Sequence, residues 1–368
     1  MNRSLGLDIV RAIAIMLVLF QHSGMFYGIA FPGGVFGVEL FFILSGLLIG
    51  QIFLKNHVEQ INFKSTYYFW MRRWLRTLPL YYLVLIIRIF YVYPYLPSYK
   101  YFFFLQNFSE IDIDWFIIAW SLSIEEWFYL LLPILFLIAG RVTRISFTPR
   151  KINLFLVCII GTVFFAKVYY ILKFNPNFSF GIKKSIPFRM DALLIGVLLA
   201  NIKLNYSHVY TFLSRRIILL FGVFFLLVVA GYFHWVSSSL NATNQYLEYS
   251  YFTRIFLLPI ISFLFFIVIP SFDNSVFLKN IPHTHFISKL FYRISVYTYG
   301  LYLVHKDIFN ILIKDTPLSF AWLIELLTSL GVTIAIVAIL YRFFEKPIMN
   351  YRDKILPLSN LTNEKQKI

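Results

Sequence analysis

The sequence predicts an all-α fold, a polytopic bundle of about ten transmembrane helices in one domain, and three observations predict it. Hydrophobic residues make up 60% of the 368-residue chain and charged residues only 14%, whereas soluble domains carry about 25% charge. Apolar runs of about 20 residues, enough to cross a bilayer, recur along the whole chain. Lys and Arg gather in alternate connections between those runs, the signature of membrane orientation. So little charge cannot cover a globular surface, so most of the surface must face lipid.

The runs fall at 7–26, 34–54, 77–94, 114–139, 152–172, 186–202, 216–235, 252–270, 290–313 and 321–344. The first starts close to the N-terminus and has no small-residue cleavage site after it, so it reads as a retained helix. The aromatic stretch 99–104 reads as a short re-entrant or interfacial piece. With the N-terminus in the cytoplasm, twenty-two of the 33 Lys and Arg fall in inner connections and five in outer ones. That asymmetry puts both termini in the cytoplasm and the protein in the inner membrane. Residues 1–350 then form one transmembrane domain and 351–368 a short cytoplasmic tail, polar and disordered over 363–368.

The net charge of +16 does not indicate nucleic acid, because no Lys/Arg stripe alternates with polar surface. The single cysteine, Cys158, lies in an apolar run and reads as buried or lipid-facing. Nothing in the sequence requires a metal.

Charge inside a span costs a few kcal/mol on insertion scales and often marks function. Arg11 and His22 lie in the first run, Glu39 in the second, Arg88 in the third, and Glu125 and Glu126 in the fourth. Later runs hold Lys167, Arg189, Asp191, Arg254, His305 and Lys306, with Glu345 directly after the last of them. Arg11 and His22 are about three helical turns apart, so they share a face, separated by about 16 Å along the axis. A fixed cation and a titratable base then stand at two depths of one helix. The alternative is Arg11 reaching to headgroups and His22 satisfied by a backbone carbonyl. Glu39, Glu125, Arg189, Asp191 and His305 fall at a depth similar to His22, either as one site or as separate interhelical salt bridges.

Arg72, Arg73 and Arg76 precede Pro79, and Arg73 and Arg76 share a helix face. Guanidinium forks suit phosphate, although positive-inside anchoring explains the cluster equally well. Arg88, Lys167 and Arg254 read as helix-pairing residues without an assigned role. Asn107 and Asn241 match a glycosylation pattern short enough to arise by chance. Ser45 and Gly46 read as close-packing residues rather than a nucleophile.

Read in order, the motifs resemble the acyltransferase 3 family. Leu7-Asp-Ile-Val-Arg-Ala-Ile-Ala-Ile, continuing to His22, is similar to its first helix. Gly37-Val-Glu-Leu-Phe-Phe-Ile-Leu-Ser-Gly46 resembles its second-helix signature, with Glu39 where Asp is common. Arg72-Arg-Trp-Leu-Arg-Thr-Leu-Pro79 resembles its cytoplasmic arginine motif, and Trp120-Ser-Leu-Ser-Ile-Glu-Glu-Trp-Phe-Tyr129 its fourth-helix element. Arg189-Met-Asp-Ala-Leu-Leu-Ile-Gly196, Tyr302-Leu-Val-His305 and Phe344-Glu-Lys-Pro347 follow in family order.

The resemblance implies transfer of an acetyl or similar acyl group from cytoplasmic acyl-coenzyme A to a hydroxyl, commonly on an envelope polysaccharide or lipopolysaccharide. It implies Arg11, Arg73 and Arg76 as donor-binding residues and His22 as the general base on the acceptor hydroxyl; a covalent acyl-His22 intermediate is the alternative. Glu125 is expected to orient His22, and Glu39, Arg189, Asp191 and His305 to bind the acceptor or its oxyanion. Some relatives carry an esterase-like domain after the bundle, so such a partner is expected here as a separate periplasmic protein. Two other classes compete. A glycan transporter or flippase also needs buried charges at depth, but no inverted repeat is visible. A glycan polymerase or ligase would present a large outer loop, and the outer loops here are short.

Overall fold

The computed structural model describes residues 4–25, 31–56, 58, 61–92, 96–108, 115–143, 147–239 and 248–357. Asn241, Arg3, Arg144 and the tail from 358 onward lie outside the described residues. Helices form at all ten expected places: α1 (Leu5–Ser23), α2 (Gly33–Asn56), α3 (Phe63–Ile87), α4 (Ala119–Thr143), α5 (Pro149–Phe174) and α6 (Ile186–Asn205) come first. A short α7 (Ser207–Leu213) leads to α8 (Arg216–Ser239), then α9 (Leu258–Asp273), α10 (Phe286–Leu312), α11 (Phe320–Leu340) and a final α12 (Lys346–Ile355). No strand occurs among the described residues.

Eight of the long helices are apolar enough by themselves to cross a bilayer. The remaining two, α6 and α10, carry the charges that lower their hydropathy, including Arg189 and Asp191 on α6 and Lys306 and Asp307 on α10. The centre of the bundle is α2, with 72% of its apolar window buried, while α5 and α8 bury only 17% and 11% and form the rim. Ile217, Leu220, Phe221, Phe224 and Leu227 of α8 stand exposed, as a lipid-facing stripe must. Cys158 is likewise exposed, on α5.

One departure from the expected boundaries has a local cause. The third helix starts at Phe63 rather than near 77, because Asn62 and Ser65 form a reciprocal capping box: Asn62 Oδ1 accepts from the Ser65 amide at 2.8 Å and Ser65 Oγ from the Asn62 amide at 3.1 Å. Hydropathy registers only the apolar part of this helix, so the Arg72–Arg76 cluster lies within a helix rather than ahead of one. The 99–104 stretch begins as a 3-10 turn, Tyr99–Phe102. It is tied to the bundle by the Tyr81 and Tyr82 hydroxyls, which donate to the Tyr101 and Phe102 carbonyls at 2.8 Å each.

Close crossing of α2 and α6 depends on missing side chains. A Cβ at Gly46 would lie 2.1 Å from the Leu193 carbonyl oxygen, and one at Gly196 would lie 2.3 Å from the Ile43 oxygen. One turn on, a Cβ at Gly50 would press against the Ala200 methyl at 2.9 Å. This small-xxx-small packing bears out Gly46 as a close-packing residue. α1 lies between α2 and α10. At the other end of the chain α12 runs through residue 350 and is tied to α3, where Arg72 pairs with Asp353 at 2.9 Å and donates to the Leu356 carbonyl.

Candidate active site

Arg11 and His22 do face the bundle interior together, and each opens onto its own cavity. The cavity at His22 has a volume of about 470 Å³ and is lined also by Gln21, Glu39, Trp120, Lys183, Arg189 and Glu248. The cavity at Arg11 has about 330 Å³ and is lined also by Ser45, Arg73, Arg76, Glu125 and Tyr299. Val38 and Tyr302 line both.

His22 is held at the last turn of α1. Gly24 closes the helix in the left-handed region (φ 84°), its amide donating to the Phe20 carbonyl. The Trp322 indole donates to the Ser23 carbonyl at 2.9 Å, and the Gly34 amide donates to Gln21 Oε1 at 3.3 Å. Against this fixed end lies His305. The two rings stack at 14° with centroids 5.0 Å apart, and His22 Nδ1 is 2.7 Å from His305 Nε2.

The backbone decides which nitrogens carry protons. His305 Nδ1 lies 3.0 Å and 2.9 Å from the carbonyl oxygens of Leu301 and Tyr302. Carbonyls only accept, so His305 Nδ1 is the protonated nitrogen, and in the neutral ring Nε2 then holds the lone pair. That lone pair accepts from His22 Nδ1–H, which leaves His22 Nε2 as the basic nitrogen. The carbonyls of α10 thus select the His22 tautomer through His305.

In the other cavity Arg11 donates to Ser295 Oγ at 2.7 Å. Arg73 donates to the Tyr129 hydroxyl at 2.5 Å and stacks on its ring, 4.2 Å from the centroid. Tyr129 in turn donates to Glu125 at 2.8 Å, and Ser45 donates to the other Glu125 oxygen at 3.1 Å. Arg11, Arg73 and Arg76 lie within electrostatic reach of one another. Arg76 is exposed and makes no ion pair among the described residues, and the buried Arg73 Nε has no hydrogen-bond acceptor. Three guanidiniums around one open volume, with the single carboxylate of Glu125 among them, leave a net positive receptacle suited to phosphate oxygens.

The placement of the remaining expected residues corrects several sequence readings. Glu125 does not touch His22; its carboxylate belongs to the arginine cavity, because Tyr129, one turn on in α4, and Ser45 hold it there. His305, expected to bind the acceptor, is fully buried behind His22 and lines neither cavity. Glu39, Arg189 and Asp191 close on one another in a buried network. Arg189 donates to Glu39 and, at 3.1 Å, to Asp191; Lys167 approaches Asp191 at 3.5 Å and Ser262 donates to Glu39. Glu39 and Arg189 still border the His22 cavity, whereas Asp191 does not. Of the cations without an assigned role, Lys167 is part of this network. Arg88 pairs with Asp307, and Arg254 bonds Asn175 Oδ1 at 2.6 Å and the Pro176 carbonyl at 2.9 Å. Asn107 is buried and donates to the Trp120 and Lys184 carbonyls, so it offers no accessible glycosylation site.

Sequence reasoning gave no site role to Ser45, Tyr129, Ser295 or Tyr302. Tyr129 carried a usable signal, since i and i+4 partners on a helix meet; the others join the site only through packing between distant helices.

The sequence profile of the acyltransferase 3 family, an acyltransferase domain, matches residues 4–342. The chain belongs to the acyltransferase 3 family. The two cavities of this acyltransferase 3 protein therefore lie within the matched region, as do all of the residues that line them. Among curated relatives, O-acetyltransferase OatA of Staphylococcus aureus (strain NCTC 8325 / PS 47) is 27% identical over 376 residues, covering 93% of this chain. The chain spans 57% of the length of that relative. A putative O-acetyltransferase of S. aureus strain COL is 28% identical over 223 residues, 53% of this chain and 34% of its own length. No solved structure matches the chain. Family and helix composition together make this acyltransferase 3 member a multi-pass membrane protein.

Proposed function

We propose that this membrane acyltransferase moves an acetyl or similar short acyl group from acyl-coenzyme A, bound at the arginine cavity, to a hydroxyl of an envelope glycan that enters the His22 cavity. The observation that carries the reading is the single face of α1. It presents Arg11, beside Arg73 and Arg76, to one cavity and His22 to the other. The family and the O-acetyltransferase names of its relatives support the reaction class. The sequence's basic asymmetry supports a cytoplasmic arginine cavity and an extracytoplasmic His22 cavity.

The reaction follows from those parts. The three guanidiniums neutralise the donor's phosphates, and its thioester arm spans about the 16 Å that separates Arg11 from His22 along α1. His22 Nε2 takes the proton of the acceptor hydroxyl as its oxygen attacks the thioester carbon. The carbon–sulfur bond then breaks, and the departing thiolate takes that proton back from the imidazolium. One ester and one thiol result. His305 holds the His22 ring and its tautomer throughout. Trp120 in the His22 cavity offers an aromatic face to a sugar, and Gln21 and Glu248 offer polar edges.

The test is a comparison of native protein with His22→Ala at matched membrane levels. Ester-bound acids are released from the whole envelope by mild alkali and quantified. The native chain should add an acyl ester, and His22→Ala should lower its formation by on the order of 10²–10⁴-fold, the usual contribution of a general base. Equal ester in both strains would remove His22 from the mechanism. No added ester with the native chain would remove acyl transfer to the envelope itself and favour glycan transport.

A further inference from the structure

Both Val38 and Tyr302 line both cavities, so they form the partition between the place where the donor is held and the base. Tyr302 is pinned there. Its hydroxyl lies 2.6 Å from Ser121 Oγ and donates to the Ile118 carbonyl at 3.2 Å. Its ring meets Phe41, on the arginine-cavity side, edge to face at 6.3 Å. Ile118 faces the His22 cavity and Ser121 the arginine cavity, so the hydroxyl is anchored across the boundary itself. Tyr302 and Ser121 are both buried, and the Tyr302 carbonyl is one of the two that hold His305.

A donor gripped by Arg11, Arg73 and Arg76 has to carry its thioester past this wall to meet His22 Nε2, and the acyl group leads. The rest of the donor is constant, so the wall senses the acyl chain alone. Packed interiors yield in discrete steps rather than continuously, and a tight apolar passage discriminates between chains by single methylenes.

We propose that Tyr302, together with Val38, is the specificity-determining septum of this enzyme: the opening beside the Tyr302 ring sets the largest acyl group that reaches His22. The inference rests on the acyl-transfer reading above, and its test separates the two. Permeabilised cells carrying the native chain, Tyr302→Phe, Tyr302→Ala or Val38→Ala at matched membrane levels receive equal amounts of acetyl-, propionyl- and butyryl-coenzyme A. The acids released from the envelope by mild alkali are then compared with those from cells lacking the protein.

The native chain should add mainly acetate, and Tyr302→Phe, which keeps the ring but loses its hydroxyl anchor to Ser121 and Ile118, should fall between the native chain and Tyr302→Ala. Tyr302→Ala should raise the butyrate-to-acetate ratio on the order of tenfold for each methylene admitted. Val38→Ala should move the ratio the same way, and decides the matter if Tyr302→Ala fails to reach the membrane. As a readout free of turnover, the non-transferable thioether S-butyl-coenzyme A should raise the Tm of purified Tyr302→Ala or Val38→Ala protein more than that of the native protein. An unchanged acid ratio with an unchanged Tm shift overturns the septum while leaving acyl transfer intact. If the native chain adds no ester of any length, the acyl-transfer reading falls and the septum with it.

Discussion

In the proposed reaction the His22 base has a neighbour that carries no negative charge. A base backed by a carboxylate gains an electrostatic partner when it takes up a proton; here the partner is a neutral imidazole whose own proton is committed to two backbone carbonyls. In that reaction His305 would act as a positioning residue, fixing the tautomer and ring plane of His22. His305→Ala should slow transfer on the order of tenfold, about the net worth of one hydrogen bond, with the effect in kcat rather than KM. His305→Gln, whose amide oxygen falls near the lost Nε2, should recover most of that rate by accepting from His22 Nδ1–H. Steady-state kinetics on purified protein checks the pair, and a Gln variant no better than Ala would argue against tautomer control. The arrangement was half legible beforehand. The charged residues announced themselves by standing in apolar runs, but their partners did not, because depth along a helix does not say which helix is adjacent.

The element that sets the bundle is the α2–α6 crossing. Backbone oxygens, not flexible side chains, stand where a Cβ at Gly46 or Gly196 would go. Gly46→Ala should therefore cost more than the roughly 1–3 kcal/mol of ordinary overpacking and lower the Tm in detergent. Gly161 on α5 has nothing within 4 Å of its would-be Cβ, so Gly161→Ala should leave the Tm unchanged or raise it slightly, Ala being the better helix former. Equal effects at the two sites would contradict the close crossing.

Beside that crossing sits the Glu39–Arg189–Asp191–Lys167 network, and removing one member strands buried charge. Arg189→Met should destabilise by about 3–5 kcal/mol, and adding Glu39→Gln should recover part of the loss by removing one orphaned carboxylate. If Arg189 instead serves the acceptor, Arg189→Met will lower transfer while the melting curve stays in place.

On the scale of the whole molecule, basic residues are sorted so unevenly that orientation becomes a direct expectation. A phosphatase active only outside the cytoplasm should be active when fused after Pro176, between α5 and α6. It should be inactive when fused after Tyr206, between α6 and α7, or after Pro357, beyond α12. The reverse pattern would turn the bundle over and place the arginine cavity on the wrong side for a cytoplasmic donor. In the proposed reaction this sidedness would make the two cavities functionally unequal, with donor and acceptor approaching from opposite faces and meeting only across the Val38–Tyr302 wall.

Amino-acid order alone determined that this chain is a membrane helix bundle, where its ten long helices lie, and which side chains are too costly to be incidental. Hydropathy and charge act locally, so they can be read residue by residue. Family membership was legible for a related reason, since its motifs are short, contiguous and in order. Tertiary structure alone decided the partners. It assigned Glu125 to Tyr129 and Ser45 rather than to His22, placed His305 against His22 and outside both cavities, and turned Glu39, Arg189 and Asp191 toward one another. Those outcomes depend on which helices touch and at what rotation, and backbone contacts such as Gly46 on Gly196 set both. Residues far apart in the chain meet there, and nothing in the spacing along any single helix records it.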